Sequence, residues 1–181
     1  LIYIKKYENF IDRGDYASYS NDSGDVFWGN LGAGMLPFSK STEKFMVVFR
    51  SKYVNEPETW GIIGGKIDED KNESIEQALK REFNEETKFD IINKFNKKYY
   101  TTEDIELIHL YTFESEKSTF KYYNYTGLLE EEFIPILDWE NDDYKWLSLP
   151  ELINLDNKHF GLETLLNDKN TMNILKSLYK L

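Results

Sequence analysis

The stretch WGIIGGKIDEDKNESIEQALKREFNEETKFD, residues 60–90, restricts the fold more than any other part of the chain. A short apolar run ends in paired glycines, a polar loop follows, and Ser74 then opens a segment of helical periodicity reaching about Thr87. Ser74 and Gln77 have the spacing of a capping box, in which side chains satisfy backbone donors left free at a helix start. With an advance of about 100° per residue, Glu86 falls about 40° to one side of Glu82 and Glu85 about 60° to the other. Ile75, Ala78 and Leu79 share that wedge, while Gln77, Lys80, Asn84 and Lys88 lie opposite. Three carboxylates are therefore expected on the side that the helix turns towards the protein.

Such an arrangement is unfavourable unless something compensates it. Like charges one turn apart cost a few tenths of a kcal/mol even in water, and partial burial raises the cost. Arg81 alone does not neutralise three glutamates. Clustered carboxylate oxygens without His or Cys suit a hard divalent cation, Mg²⁺ or Mn²⁺. Gly64 and Gly65 stand just upstream, where backbone without a Cβ can approach a ligand closely.

The flanking sequence supplies strands. AGMLPF and KFMVVFRS read as two strands around a short turn, and IELIHLYTFES and TFKYYNYTGLL as two more. An acidic patch, LLEEEFIPILDWENDDYKWLSL, precedes two helical pieces starting near Leu149 and Gly161. Residues 1–31 form an opening extension and 32–181 the domain proper. The mixture of strands and helices predicts an α+β class with layered α/β/α architecture.

The helix and its approach resemble the box of the Nudix hydrolase family, G-x5-E-x7-R-E-U-x-E-E-x-G-U, where U is a bulky apolar residue. Gly65, Glu73, Arg81-Glu82-Phe83-Asn84-Glu85-Glu86 and Phe89 follow it. The interval from Gly65 to Glu73 is longer than the pattern, and Lys88 stands where the last Gly is expected. The resemblance implies the family's α/β/α sandwich, with a mixed sheet between the box helix and the C-terminal helices. It also implies a divalent-metal-dependent pyrophosphohydrolase acting on a nucleoside diphosphate linked to another group: a nucleoside triphosphate, ADP-ribose, a nucleotide sugar or a dinucleoside polyphosphate. Glu82, Glu85 and Glu86 would hold Mg²⁺ or Mn²⁺ with the carbonyl of Gly65, and Glu73 would pair with Arg81 in support.

A further acidic residue often joins such sites from a late loop. Glu140 is the first choice, as ligand or general base, with Asp142 and Asp143 behind it. Arg50 is the leading candidate for substrate phosphates, followed by Lys52 and Lys66. Trp60, Trp28, Phe38 and Tyr111 are aromatic candidates for base stacking. Alternatives within the resemblance are a nucleotide-sensing module without turnover and an RNA 5′-end or cap hydrolase.

Charge and composition narrow the field. The 181 residues carry 22 Lys and Arg against 33 Asp and Glu, a formal net charge of −11. That field opposes broad nucleic-acid binding and leaves a small-molecule nucleotide as the expected partner, with local cations needed to receive it. The absence of Cys excludes disulfides and thiolate chemistry and fits a reducing cytoplasm. No apolar run has membrane-spanning length, and LIYIKKYENF lacks the apolar core of a signal peptide. His109 and His159 are the only histidines, and without a GxSxG elbow a Ser-His-Asp hydrolase is not expected. Oligomeric state stays open; the opening extension can pack on its own domain or on a second copy, as in a homodimer.

Overall fold

The computed structural model describes residues 18–20, 26–28, 31–115 and 119–180. Most of the expected N-terminal extension lies outside these apart from a small antiparallel pair, β1 (Ser18–Ser20) with β2 (Val26–Trp28). The remaining strands form one mixed seven-stranded sheet: β3 (Leu31–Ser39), β4 (Lys44–Arg50), β5 (Trp60–Gly61), β6 (Ile63–Lys66), β7 (Glu106–Glu114), β8 (Lys121–Leu129) and β9 (Asn141–Leu147). Its central path runs β5-β4-β3-β8-β7, with β6 also on β3 and β9 also on β4.

The axis of the sheet is β3. It runs parallel to β8 from Leu31 to Ser39, while its other edge takes β6 at the start and β4 at the end. Gly64 of β6 lies against the β3 backbone and Gly65 beneath Glu82 of the helix that follows. Alternating side chains feed two cores. On one face Ala33, Met35, Met46 and Ile63 pack against α1 (Ile75–Thr87) and α2 (Phe89–Phe95) through Leu79, Phe83 and Phe89. On the other, Leu36, Phe38, Phe45 and Val47 pack against α3 (Leu149–Ile153), α4 (Phe160–Asn167) and α5 (Lys169–Ser177). The expected α/β/α sandwich is present, with α1 and the C-terminal helices on opposite faces.

The capping box at Ser74 forms as expected, and α1 ends at Lys88 in the left-handed region, φ 58°. The extra loop residues make a 3-10 turn, Glu69–Lys71, exposed to solvent, and close on Glu73, which accepts from the Asp68 N–H at 2.8 Å. The longer loop thus bulges outward into solvent and returns to the helix through Glu73. Lys80 corrects the helical-wheel expectation. Its ammonium is buried, bonded to Glu76 at 2.8 Å and to Glu103 at 3.3 Å, because the 3-10 turn Thr102–Asp104 covers that side of the helix. No helix among the described residues is long and apolar enough to cross a membrane.

Candidate active site

The site forms where α1 meets β6 and the approach to β9. Ala78, Leu79 and Phe83 anchor α1 to the sheet, which carries Glu82 and Glu86 towards the glycine strand. Glu86 is 5% exposed and its two oxygens are held separately: Oε1 accepts from the Gly64 N–H at 2.9 Å and Oε2 from Asn141 Nδ2 at 2.6 Å. Glu82 is largely covered and lies over Gly65, where a Cβ would come within 2.5 Å of Glu82 Oε1. The space between strand and carboxylate exists because residue 65 has no side chain.

The third wall comes from the chain before β9. The backbone N–H of Ile136 donates to Thr87 O at 2.9 Å, pinning this segment across the end of α1. Asp138 then accepts from the Glu140 N–H at 2.9 Å, and Ser51 N–H donates to Glu140 O at 2.8 Å. These bonds bring Asp138, Glu140 and Asn141 to Glu86.

Burial dominates the electrostatics. It pushes the Glu86 carboxyl well above the usual range, and the charges of Glu140, Glu82 and Asp138 push the same way against the Asn141 hydrogen bond. Glu140 is raised to about 7 by burial, then Asp138 and Glu82, with Arg50 opposing. Burial also raises Glu82, opposed by Arg81. A group of carboxylates held together at the limit of ionisation, with little cationic charge among them, is an electrostatic demand for cations.

Arg81 organises the helix side. It makes a two-pronged ion pair with Glu73, Nε–Oε1 2.6 Å and Nη2–Oε2 2.9 Å, and donates to Lys66 O at 3.0 Å. The same guanidinium bonds Glu82 at 2.7 Å and Glu85 at 3.3 Å. Glu73 holds it firmly protonated and is itself held below the usual carboxylate range by that bond. Loop, strand and helix are thereby tied at one side chain.

The remaining sequence candidates separate. Glu85 departs from the shared inward wedge: its side chain is 58% exposed at the rim. Asp142 and Asp143 are exposed, whereas Glu140 reaches the carboxylate cluster. Arg50 donates from Nε and Nη2 to Asn55 O at 3.0 and 2.7 Å, and its charge reaches Glu140. Lys52 and Lys66 are exposed. Trp60 is a core residue, contrary to its place among the stacking candidates. Its ring is buried against Phe49 at 4.9 Å, with Lys145 Nζ over the ring at 4.2 Å. Phe38 is also core and Tyr111 packs against the same cluster; Trp28 falls outside the described side chains.

Sequence reasoning passed over Asp138, Asn141, Tyr122 and the nearness of Arg50 to His159, two groups whose positive charges repel. His159 is held down to about 4 by burial and then by Arg50. Burial, then Glu86, raises the Tyr122 phenol. Asp138 had a signal, lying beside Glu140 in the acidic run; the others depend on strand pairing that the sequence does not display.

Among the described residues, no three His, Cys, Asp or Glu side chains converge closely enough to grip a metal ion as they stand. The residues nevertheless fit one. The donors are all oxygen, the cradle beside Glu82 is one that a Cβ at residue 65 would fill, and the buried carboxylates repel one another. That chemistry suits a hard divalent cation.

Comparison with known proteins agrees with this geometry. The model of the NUDIX domain matches residues 30–168, and the chain belongs to the Nudix family. No curated protein matches significantly. A Nudix hydrolase from M. smegmatis, RenU, is similar in structure at 16% identity and TM-score 0.63, covering 93% of this chain and 97% of its own. A C. elegans Ap4A hydrolase, in a binary complex, is 20% identical with TM-score 0.58, covering 81% and 98%. The NUDIX domain of Shewanella oneidensis NrtR, complexed with ADP ribose, is 22% identical with TM-score 0.54, covering 82% and 90%.

Proposed function

We propose that the protein is a Mg²⁺- or Mn²⁺-dependent pyrophosphohydrolase that cleaves the pyrophosphate linkage of a nucleoside diphosphate joined to another group. The observation that carries this reading is Glu86: a buried carboxylate held by Gly64 N–H and Asn141 and surrounded by Glu82, Asp138 and Glu140. Family membership supports it.

Glu82 and Glu86 would hold the cation, assisted by the Gly65 carbonyl and by Glu85. Once bound, a divalent ion supplies charge neutralisation for the pyrophosphate and lowers the pKa of attacking water. The chain's own residues do the rest. Asn141 and Gly64 N–H fix the direction of both Glu86 oxygens, so the ligand is positioned before the cation arrives. The Glu73–Arg81 pair holds the loop against α1. Glu140, buried beside Asp138 and Glu82, is suited by its place to accept the proton from the attacking water. Arg50 supplies positive charge to a substrate phosphate, at the edge of a site whose other groups are anionic.

The substrate class is tested by phosphate release, coupled to an added phosphatase, from nucleoside triphosphates, ADP-ribose, nucleotide sugars and dinucleoside polyphosphates, with Mg²⁺, Mn²⁺ or no metal. Metal-dependent turnover of one class is expected. Binding without turnover across all of them would make the protein a nucleotide sensor.

A further inference from the structure

Tyr122 lies beside the carboxylate cluster but has been given no role there, and its ring occupies a bed of strand glycines. Its strand β8 runs parallel to β3, with Tyr122 opposite Gly32 and Asn124 opposite Gly34. The ring lies over those glycines: a Cβ at Gly32 would come within 2.6 Å of ring Cδ2, and one at Gly34 within 2.7 Å of the hydroxyl. A Cβ at Gly64 would lie 2.8 Å from the same hydroxyl. Gly32 and Gly34 thus lack side chains where the phenol lies, Gly34 with Ile62 Cδ1 pressing on the same space at 2.6 Å, while at Gly64 the β3 backbone comes first, Ala33 O at 2.2 Å. Glycine inside a strand weakens it, and here it lets the ring lie flat on β3 with its hydroxyl directed to the β6 glycine turn.

The ring ends at a particular place. Gly64 is the residue whose N–H holds Glu86 at 2.9 Å. The charges that act on the hydroxyl most strongly are those of Glu86, Arg50 and Glu82. Among the described residues the hydroxyl makes no hydrogen bond. Tyr122 is only half-buried and, among the described residues, its hydroxyl is not one of the sealed polar atoms left without a partner; an O–H open to solvent beside a binding site is free to donate to a ligand acceptor in place of water. Glutamates cannot be the intended acceptors if they serve a cation, and Arg50 has no acceptor to offer.

We propose that Tyr122 is a substrate-binding residue whose hydroxyl donates to a non-bridging phosphate oxygen of the pyrophosphate group, where the carboxylate cluster meets Arg50. The inference rests on the pyrophosphohydrolase reading for its ligand and adds a contact specific to this chain. A tyrosine ring suits the role because it has few torsions to freeze and is seated before the substrate arrives.

The test is Tyr122→Phe, which keeps the ring on its glycine bed and removes only the donor. Calorimetric binding of methylenediphosphonate, a pyrophosphate mimic that is not hydrolysed, is measured with Mn²⁺ for both proteins, beside their thermal midpoints and steady-state turnover. The diphosphonate Kd and the KM are expected to rise by about 10- to 100-fold, the range for a hydrogen bond to a charged group, with kcat and melting unchanged. Unchanged Kd and KM, a fall in kcat alone, or a variant that fails to fold would each overturn the proposal, the last by assigning the hydroxyl to the fold. Failure of the wild-type protein to bind the diphosphonate would overturn it as well. Binding by the wild type without turnover of any nucleotide would instead defeat the hydrolase reading while the comparison with Tyr122→Phe still decides the contact.

Discussion

Replacing Asn141 by Leu removes one of the two donors that hold Glu86 and keeps the branched shape of the side chain, with two methyl groups in place of the amide. The lost bond is short, 2.6 Å, and joins two buried groups, each 5% exposed. A hydrogen bond to an ionised group is worth about 1.5–3 kcal/mol, and its loss falls on the charged form of Glu86. The carboxyl, already raised by burial and by Glu140, Glu82 and Asp138, moves higher still. A cation must then displace a more tightly held proton and orient an oxygen that nothing else fixes. The half-saturating Mg²⁺ concentration is therefore expected to rise by about 10- to 100-fold, with most of kcat recovered at saturating metal and the acidic limb of the pH profile displaced upward. Metal titrations of turnover at several pH values measure both effects. An unchanged Mg²⁺ dependence in a folded Asn141→Leu protein would refute the idea that Asn141 prepares Glu86 for a cation.

Two other consequences concern stability. Without metal, Glu86 and Glu140 retain protons in the fold that the unfolded chain has released above about pH 4.5. The native state then binds more protons than the unfolded one, so stability falls as pH rises from 5 to 8. His159, held down to about 4, has the opposite sign, but only below about pH 6.5, and offsets one of the two carboxyls there. A net loss on the order of a few kcal/mol is expected from metal-free melting curves, and Mg²⁺ should flatten the dependence; metal-free stability that increases across this range would contradict it. Lys88→Gly relieves a side chain at φ 58° at the end of α1, and chemical denaturation should show about 0.5–1 kcal/mol of added stability. A loss of stability there would mean that the Lys88 Nζ bond to Glu85 O, 2.6 Å, outweighs the strain.

The sequence was most informative where chemistry and local geometry coincide. The Ser74 cap, the periodicity of α1 and the glycine pair upstream placed Glu82 and Glu86 without knowledge of any distant contact. The same periodicity misplaced Lys80 and Glu85, because a helical wheel ranks faces but does not know what covers them. The turn at 102–104 buries Lys80, and Arg81 holds Glu85 at the rim. The helices α2 and α5 were not expected: α2 follows α1 after a single left-handed residue, and α5 follows α4 directly across Asp168. Asn141 and Tyr122 were hidden for another reason. Their roles arise from β9 meeting Glu86 across 55 residues and from the parallel register of β8 on β3, neither of which leaves a pattern along the chain.

The central claim is that Glu86 anchors a cation for pyrophosphate hydrolysis, and Glu86→Gln tests it most directly. Glutamine can still accept from the Gly64 N–H but carries no charge, so the fold should persist. Turnover of the best nucleotide pyrophosphate with Mn²⁺, compared between wild type and Glu86→Gln by coupled phosphate release, is expected to fall by about a thousandfold or more. Full turnover by the folded variant would contradict the assignment of Glu86 and, with it, the proposed hydrolytic site.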